Sequence, residues 1–155
     1  MSAVGERRAG LLALAVYGLL AFCFWGIGPL VEGGSQYVGV FDDPQIPIWS
    51  FAWWLHAIEH GSNPLYTHEI WAPSGVDLAW VNTVPPVAVL FAPLTWLLGP
   101  VPSYDIAAVL LPAVAAWSAY LLCRHLTGGR FWPSLVGGYL FGFSSYVLGH
   151  VLGQP

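Results

Sequence analysis

The sequence predicts an all-α integral membrane protein, with about three transmembrane helices and with interfacial helices in a long first outer loop. Apolar residues make up 57% of the 155 residues and charged residues only 8%, whereas soluble domains carry about 25% charged residues. Three runs with almost no charge, 9–31, 105–123 and 131–149, approach or exceed the ~20 residues that a helix needs to cross the hydrocarbon core. We therefore expect a single multi-pass membrane domain.

Charged side chains are segregated along the chain, and this segregation excludes one class of function. Seven of the eight acids lie between Glu32 and Asp105, and there is no lysine. The four arginines are at positions 7, 8, 124 and 130. A protein that binds nucleic acid needs a clustered basic surface to neutralise phosphates. The sequence therefore predicts no nucleic-acid partner.

The first predicted span, 9–31, follows Glu6-Arg7-Arg8. A secretory signal has a shorter apolar core of roughly 7–15 residues and a cleavage site of small residues. This run has 23 uncharged residues and ends in Gly-Pro-Leu-Val. We expect an uncleaved anchor, and the two arginines place the N-terminus in the cytoplasm, because positive charge marks the cytoplasmic side of membrane proteins.

The second and third predicted spans, 105–123 and 131–149, are joined by the short turn 124–130, which carries two arginines. The same charge rule makes this turn cytoplasmic. The long segment 32–104 is then an outer loop that holds most of the acids. We expect a multi-pass protein of the cell membrane whose acids face away from the cytoplasm.

Residues 84–98 form a further uncharged stretch inside this outer loop. Prolines at 85, 86 and 93 interrupt it, and a buried proline costs backbone hydrogen bonds. If it crossed the membrane, the arginines of 124–130 would be external. We therefore predict an interfacial or re-entrant helix at 84–98, and the alternative is a protein with four spans.

Residues 45–60 are predicted to be a second interfacial helix. Pro44 and Pro47 suit a first helical turn, and Gly61-Ser-Asn-Pro supplies a stop. Tryptophans at 49, 53 and 54 favour a membrane interface, since each has an apolar body and one N–H donor. The following residues, 61–77, are rich in glycine, proline, asparagine and aspartate and are predicted to be irregular.

Two adjacent carboxylates, Asp42 and Asp43, precede this helix and are the first candidate site. One interpretation is structural, because an aspartate before proline is an ordinary helix N-cap, with Asp43 as the cap. The other is chemical, because a carboxylate at a membrane surface can act as a general base or a metal ligand for an acceptor group. The sequence leaves both interpretations open.

Three histidines complete the set of candidates. His56-Ala-Ile-Glu59-His60 matches the H-x-x-E-H pattern of inverted zinc peptidases, but zinc would need a third ligand, for which only Glu69 follows closely enough. We expect the match to be accidental and treat His56 and His60 as polar residues that could contact substrate headgroups. His150 follows the third span on the outer side, where it either snorkels at a helix end or approaches the Asp42-Asp43 site.

Several short motifs resemble a bacterial glycosyltransferase-like group of the GT-C superfamily. In the outer loop they are Asp43-Pro44, Trp49, Trp53-Trp54-Leu-His56-Ala57, Gly61-x-Asn63-Pro64-Leu-Tyr66-Thr and Ala72-Pro73-x-Gly75-Val-Asp77-Leu. The later ones are Pro86-x-x-x-Leu-x-Ala92-Pro-Leu-Thr95, Gly99-Pro100, Ser118-Ala119, Gly138-Tyr-Leu-x-Gly142-Phe-Ser144 and Gly149-His150. The resemblance extends over most of residues 41–154.

This resemblance implies an enzyme that moves a sugar from a polyprenyl-phosphate donor to an acceptor glycan, lipid or protein on the outer face. It implies that Asp43, with Asp42 as its partner, orients or deprotonates the acceptor, or binds a divalent cation such as Mg²⁺ or Mn²⁺ that does so. The chain departs from the group in two ways: its outer loop has no arginine or lysine to hold the phosphate, and it is short, so we expect an N-terminal fragment. The alternative function is a non-catalytic membrane scaffold or transport-associated protein.

Overall fold

A computed structural model describes residues 3–31, 36–40 and 43–152, and they are mostly helical, as the sequence predicts. A π-helical turn (Phe22–Gly26) joins the first two helices, and a 3-10 turn (Leu78–Trp80) precedes the fourth helix. Two short strands, β1 (Tyr66–Thr67) and β2 (Val76–Asp77), form an antiparallel pair. The helices are α1 (Ala3–Ala21), α2 (Ile27–Val31), α3 (Gln45–His60), α4 (Pro85–Leu98), α5 (Pro100–Leu126), α6 (Phe131–Gly142) and α7 (Ser145–Leu152).

Two helical segments, Gly5–Val31 and Pro100–Leu126, are long and apolar enough to cross a membrane. The first contains the predicted span 9–31 and adds a turn at its N-terminal end, so that Arg7 and Arg8 lie on the helix. Its buried side is a stripe of residues four positions apart, Ala13, Tyr17 and Ala21. Residues four apart share one helix face, so α1 packs through a narrow stripe of its surface.

The longest helix, α5, is longer at both ends than the predicted span 105–123. Proline is tolerated in the first turn, where N–H groups have no acceptor within the helix, so Pro100 and Pro102 begin this helix instead of interrupting it. At the other end Arg124 belongs to the last turn and not to the loop; it is buried and donates a hydrogen bond of 2.6 Å to the Tyr120 hydroxyl. Because α1, α3, α4 and α6 all pack against α5, it is the central helix.

The predicted third span 131–149 is interrupted, because α6 ends before Phe143 and Ser144 and α7 begins after them. The Ser144 hydroxyl accepts a hydrogen bond of 3.4 Å from the Val147 N–H and so caps the start of α7. Twelve residues make α6 about 18 Å long, less than the ~30 Å of a hydrocarbon core. The uniform apolar composition of 131–149 gives no sign of this break.

Small residues allow α6 to approach α5 closely. A Cβ atom added to Gly142 would lie 2.7 Å from the Cα and N atoms of Ala116, and one added to Gly138 would lie 2.5 Å from the Ala116 carbonyl oxygen. Two hydrogen bonds fix α1 to this pair of helices. The Tyr17 hydroxyl donates to the Leu135 carbonyl over 2.8 Å, and the Trp117 indole donates to the Gly10 carbonyl over 2.9 Å.

The predicted helix at 45–60 is confirmed, since α3 has these bounds and ends at Gly61 with the positive φ of 61° that suits glycine. The expectation that its tryptophans face an interface is wrong for Trp53, which is buried. Its indole N–H donates to the Pro64 carbonyl over 2.9 Å, and its ring packs with Val76 and Leu78 of the strand region. The segment 61–77 is therefore more ordered than predicted, because its strand pair covers α3.

The helix α4 agrees closely with the predicted 84–98. Its 14 residues span about 21 Å, which is short for a crossing and favours the interfacial or re-entrant interpretation. Gly99, with a φ of 87°, lets the chain pass directly into α5. Buried Ala88 and Ala107 bring α4 and α5 together over Phe51 of α3.

Asp105 connects α5 to a distant segment of the chain. It lies in the second turn of α5, half-buried, and its Oδ1 atom accepts a hydrogen bond of 2.8 Å from the backbone N–H of Val38. This contact holds the segment 36–40 against α5. Asp77, in contrast, caps the 3-10 turn that follows it, because its carboxylate accepts from the Ala79 N–H over 2.9 Å.

Candidate functional site

A cavity of about 480 Å³ brings together residues that are far apart in the sequence. It is bounded by the start of α3, the segment before α4, the second turn of α5 and the end of α7. Its lining includes Asp43 and His150, two of the residues singled out from the sequence. The other lining residues are Pro44, Ile46, Pro47, Asn82, Val84 and Tyr104.

The Asp43 carboxylate does not have the capping role that was one of its two interpretations. The N-cap position of α3 is occupied by Pro44, and within the described residues no side-chain hydrogen bond caps this helix. Only the backbone carbonyl of Asp43 takes part, accepting from the Ile46 N–H over 3.3 Å. The side chain is exposed and lines the cavity, where it is available to a ligand. Its predicted partner Asp42 lies outside the described residues.

His150 lies near the end of α7, and one of its ring nitrogens is already engaged. Its Nδ1 atom is 2.9 Å from the carbonyl oxygen of Tyr146. A carbonyl can only accept, so Nδ1 carries the proton and Nε2 is the nitrogen left for a ligand. The Tyr146 ring packs on the imidazole with centroids 4.1 Å apart and fixes its orientation.

Two further polar residues of the cavity were not predicted from the sequence. Asn82 lies in the segment before α4 and is exposed, and Tyr104 lies in α5 with its ring edge-on to Phe51 at 6.4 Å. No sequence signal points to Asn82, because an isolated asparagine in a loop is ordinary turn chemistry. The one sequence feature that points to Tyr104 is its position next to Asp105.

An apolar groove of about 420 Å³ adjoins the cavity and shares some of its walls. The shared residues are Pro47, Val84, Tyr104 and His150. Along α5 the groove extends from Tyr104 to Ala115, a distance of about 16 Å. Apolar residues of α3, α4, α5 and α7 line the groove, among them Phe51, Val87, Leu111 and Val151. The site is thus amphiphilic, with a polar chamber at one end and an apolar groove at the other.

His56 and His60 lie elsewhere, exposed on α3 and outside the lining of the cavity. Their rings stack with centroids 4.1 Å apart, and His60 Nδ1 is 2.9 Å from the His56 carbonyl oxygen. In the ranges that the structure describes, no three His, Cys, Asp or Glu side chains are grouped so that they could hold a metal ion. The structure therefore offers this histidine pair no third ligand.

We expect purified protein to contain no stoichiometric zinc, because two stacked imidazoles cannot complete a tetrahedral site. Metal content measured by mass spectrometry after dialysis against zinc should be the same in the wild type and in His60→Ala. The His125→Ala variant is a matched control, since His125 is an exposed histidine on a different helix. One zinc per chain that is lost in His60→Ala alone would restore the peptidase interpretation.

The side chains of the cavity permit acid–base chemistry and the binding of a hard cation. A carboxylate and an imidazole are the groups that most often move protons in enzymes. Asp43 and Asn82 also offer oxygen atoms, the ligands that Mg²⁺ and Mn²⁺ prefer. The cavity is therefore suited to a polar ligand.

Comparison of the chain with protein-family models, with curated proteins and with solved structures gives no match.

Proposed function

We propose that this chain belongs to a membrane glycosyltransferase that moves a sugar from a polyprenyl-phosphate donor to an acceptor on the outer face of the cell membrane. The observation that carries the proposal is the junction of a polar cavity with an apolar groove along α5. A lipid-linked sugar has the same division, with a polar sugar at one end and a hydrocarbon chain at the other. The resemblance of the outer-loop motifs to the GT-C superfamily supports the same substrate class.

The location of the groove favours a lipid over a soluble ligand. It follows the half of α5 that starts at Pro100 and ends near the middle of a helix long enough to cross a membrane. A chain lying in it would enter from the outer leaflet and leave its polar end beside Asp43. Membrane proteins bury polar groups only where a partner or water satisfies them, and the cavity provides such a place.

In the proposed reaction Asp43 is the catalytic residue. The acceptor hydroxyl attacks the anomeric carbon of the sugar while the bond from that carbon to the phosphate oxygen breaks. The proton of the hydroxyl passes to the Asp43 carboxylate, and the electron pair of the broken bond leaves with the polyprenyl phosphate. In the alternative role of this residue, Asp43 and Asn82 would hold a divalent cation, which would supply Lewis-acid polarisation of the same hydroxyl.

The proposed arrangement in the membrane has three crossings. These are Gly5–Val31, Pro100–Leu126 and the broken pair α6 and α7. The helix α6 alone is too short to cross the hydrocarbon core, and α7 adds the missing length. Arg7, Arg8 and Arg130 are then cytoplasmic, in agreement with the positive-inside rule. The strand pair, α3 and the cavity face outward.

Cysteine labelling tests this orientation. In a Cys23→Ala, Cys123→Ala background, an impermeant maleimide applied to intact cells should label Ser62→Cys and Ser74→Cys, which are exposed outer positions. His125→Cys should react only after the membrane is permeabilised. Labelling of position 125 but not of 62 or 74 in intact cells would reverse the orientation and place the acids in the cytoplasm.

Photocrosslinking tests the proposed substrate. A photoreactive amino acid at Leu111, inside the groove, should capture a radiolabelled polyprenyl-phosphate hexose, and excess unlabelled donor should suppress the capture. Leu140, an exposed residue of α6 outside both cavity and groove, is the matched control and reports contact with bulk lipid. Equal, unsaturable capture at both positions would favour the non-catalytic scaffold or transport-associated protein.

A further inference from the structure

The sequence has neither arginine nor lysine between residues 9 and 123, so a phosphate bound on the outer side needs other partners. The boundary between cavity and groove shows where such a phosphate would lie. In a lipid-linked sugar the phosphate joins the sugar to the hydrocarbon chain, so it must lie where the polar cavity becomes the apolar groove. The side chains at that boundary are those that line both spaces.

Four residues line both spaces, and two of them carry hydrogen-bonding side chains, Tyr104 and His150. The other two, Pro47 and Val84, are apolar. We propose that Tyr104 and His150 hold the phosphate of a polyprenyl-phosphate ligand in place of the missing arginine or lysine. This inference rests on the proposed function and adds a binding role for Tyr104 and a specific one for His150.

The chemistry of both side chains suits this role. The phenol of Tyr104 is a hydrogen-bond donor on a helix whose position is fixed by packing against Phe51. His150 uses Nδ1 to bind the Tyr146 carbonyl, so its Nε2 atom, once protonated, donates a charge-assisted hydrogen bond to a phosphate oxygen. Together the Tyr104 phenol and the imidazolium form of His150 supply two donors.

The position of Asp43 agrees with this assignment. Asp43 lines the cavity but not the groove, so it is not one of the boundary residues. A carboxylate beside the phosphate would repel it. With the phosphate at Tyr104 and His150, the sugar occupies the space between the phosphate and Asp43. The catalytic carboxylate then faces the sugar and its acceptor.

Binding of two simple probes to the purified chain in detergent tests the inference. Farnesyl phosphate and farnesol share a 15-carbon prenyl chain and differ only in the phosphate. We expect the wild type to bind farnesyl phosphate about 100-fold more tightly than farnesol, measured by calorimetry, because two hydrogen bonds of about tenfold each favour the phosphate. Tyr104→Phe and His150→Ala should each lower the ratio of the farnesyl phosphate affinity to the farnesol affinity by about tenfold, the typical effect of losing a hydrogen bond to a charged group.

Tyr139→Phe and His125→Ala are the matched controls, because both side chains lie outside the cavity and the groove. They should bind both probes as the wild type does. If the Tyr104→Phe, His150→Ala double variant keeps the full preference for farnesyl phosphate, the phosphate assignment is wrong while the lipid-binding groove stands. If the wild type binds neither probe, the assignment and the proposed function both fail.

Discussion

Replacement of Asp43 by asparagine is expected to lower sugar transfer by about 100- to 10,000-fold, the contribution usual for a positioned acid–base group. Asparagine keeps the shape of the side chain and removes its charge. Because Pro44 and not Asp43 occupies the N-cap of α3, the change removes no capping hydrogen bond. The melting temperature should therefore stay within the error of the measurement. Sugar transfer is measured in membranes that carry the protein, and unfolding is followed by tryptophan fluorescence.

Asp77→Asn is the matched control, because Asp77 is also an exposed carboxylate and caps a 3-10 turn. Aspartate and asparagine are about equally good caps, so this variant should keep both activity and stability. Asp42→Asn should reduce transfer less than Asp43→Asn, and the double variant should resemble Asp43→Asn alone. Wild-type turnover in Asp43→Asn would remove the catalytic assignment.

Replacement of Gly142 by alanine is expected to destabilise the fold by about 2–3 kcal/mol, the upper range of overpacking effects. The added methyl group would meet the backbone of Ala116 at 2.7 Å, and backbone cannot move aside as a flexible side chain can. Since α6 packs on α5 through this contact, the two helices would have to separate. Thermal unfolding in detergent, followed by circular dichroism, measures the loss.

Gly18→Ala is the control for this experiment. Gly18 also lies in an apolar helix, but no atom lies within 4 Å of the added Cβ. Alanine favours helix over glycine by about 1 kcal/mol, so this variant should be neutral or slightly more stable. If Gly142→Ala is as stable as Gly18→Ala, the close approach of α5 and α6 is not present in solution.

Elements bounded by strong local signals could be predicted closely. The helix α3 starts after Pro44, whose ring fixes φ, and stops at Gly61, which adopts the positive φ that other residues avoid. The sequence predicts only 105–123 of this helix, because the prolines at 100 and 102 indicate a loop, whereas α5 is Pro100–Leu126. In the structure the prolines occupy the first turn, and the Asp105 carboxylate is satisfied by the Val38 N–H, a long-range contact that no local pattern reveals.

The residues of the candidate site could be predicted only in part, because local patterns do not reveal contacts between distant parts of the chain. Asp43 and His150 stand out in the sequence as polar residues beside apolar runs, so both could be singled out before their positions were known. Asn82 and Tyr104 have no such contrast with their neighbours. What makes them part of a site is the packing of α3, α4, α5 and α7 around one cavity, and this packing depends on contacts between distant parts of the chain.

The same packing couples ligand binding to folding. The cavity and groove are assembled from four helices and do not exist in the unfolded chain. A ligand that fills them binds only the folded state, so by mass action it raises the free energy of unfolding, by about 2.7 kcal/mol at a free concentration of 100 times its Kd. A donor lipid at high local concentration would thus hold together the outer ends of α3, α4, α5 and α7, and its depletion would loosen them.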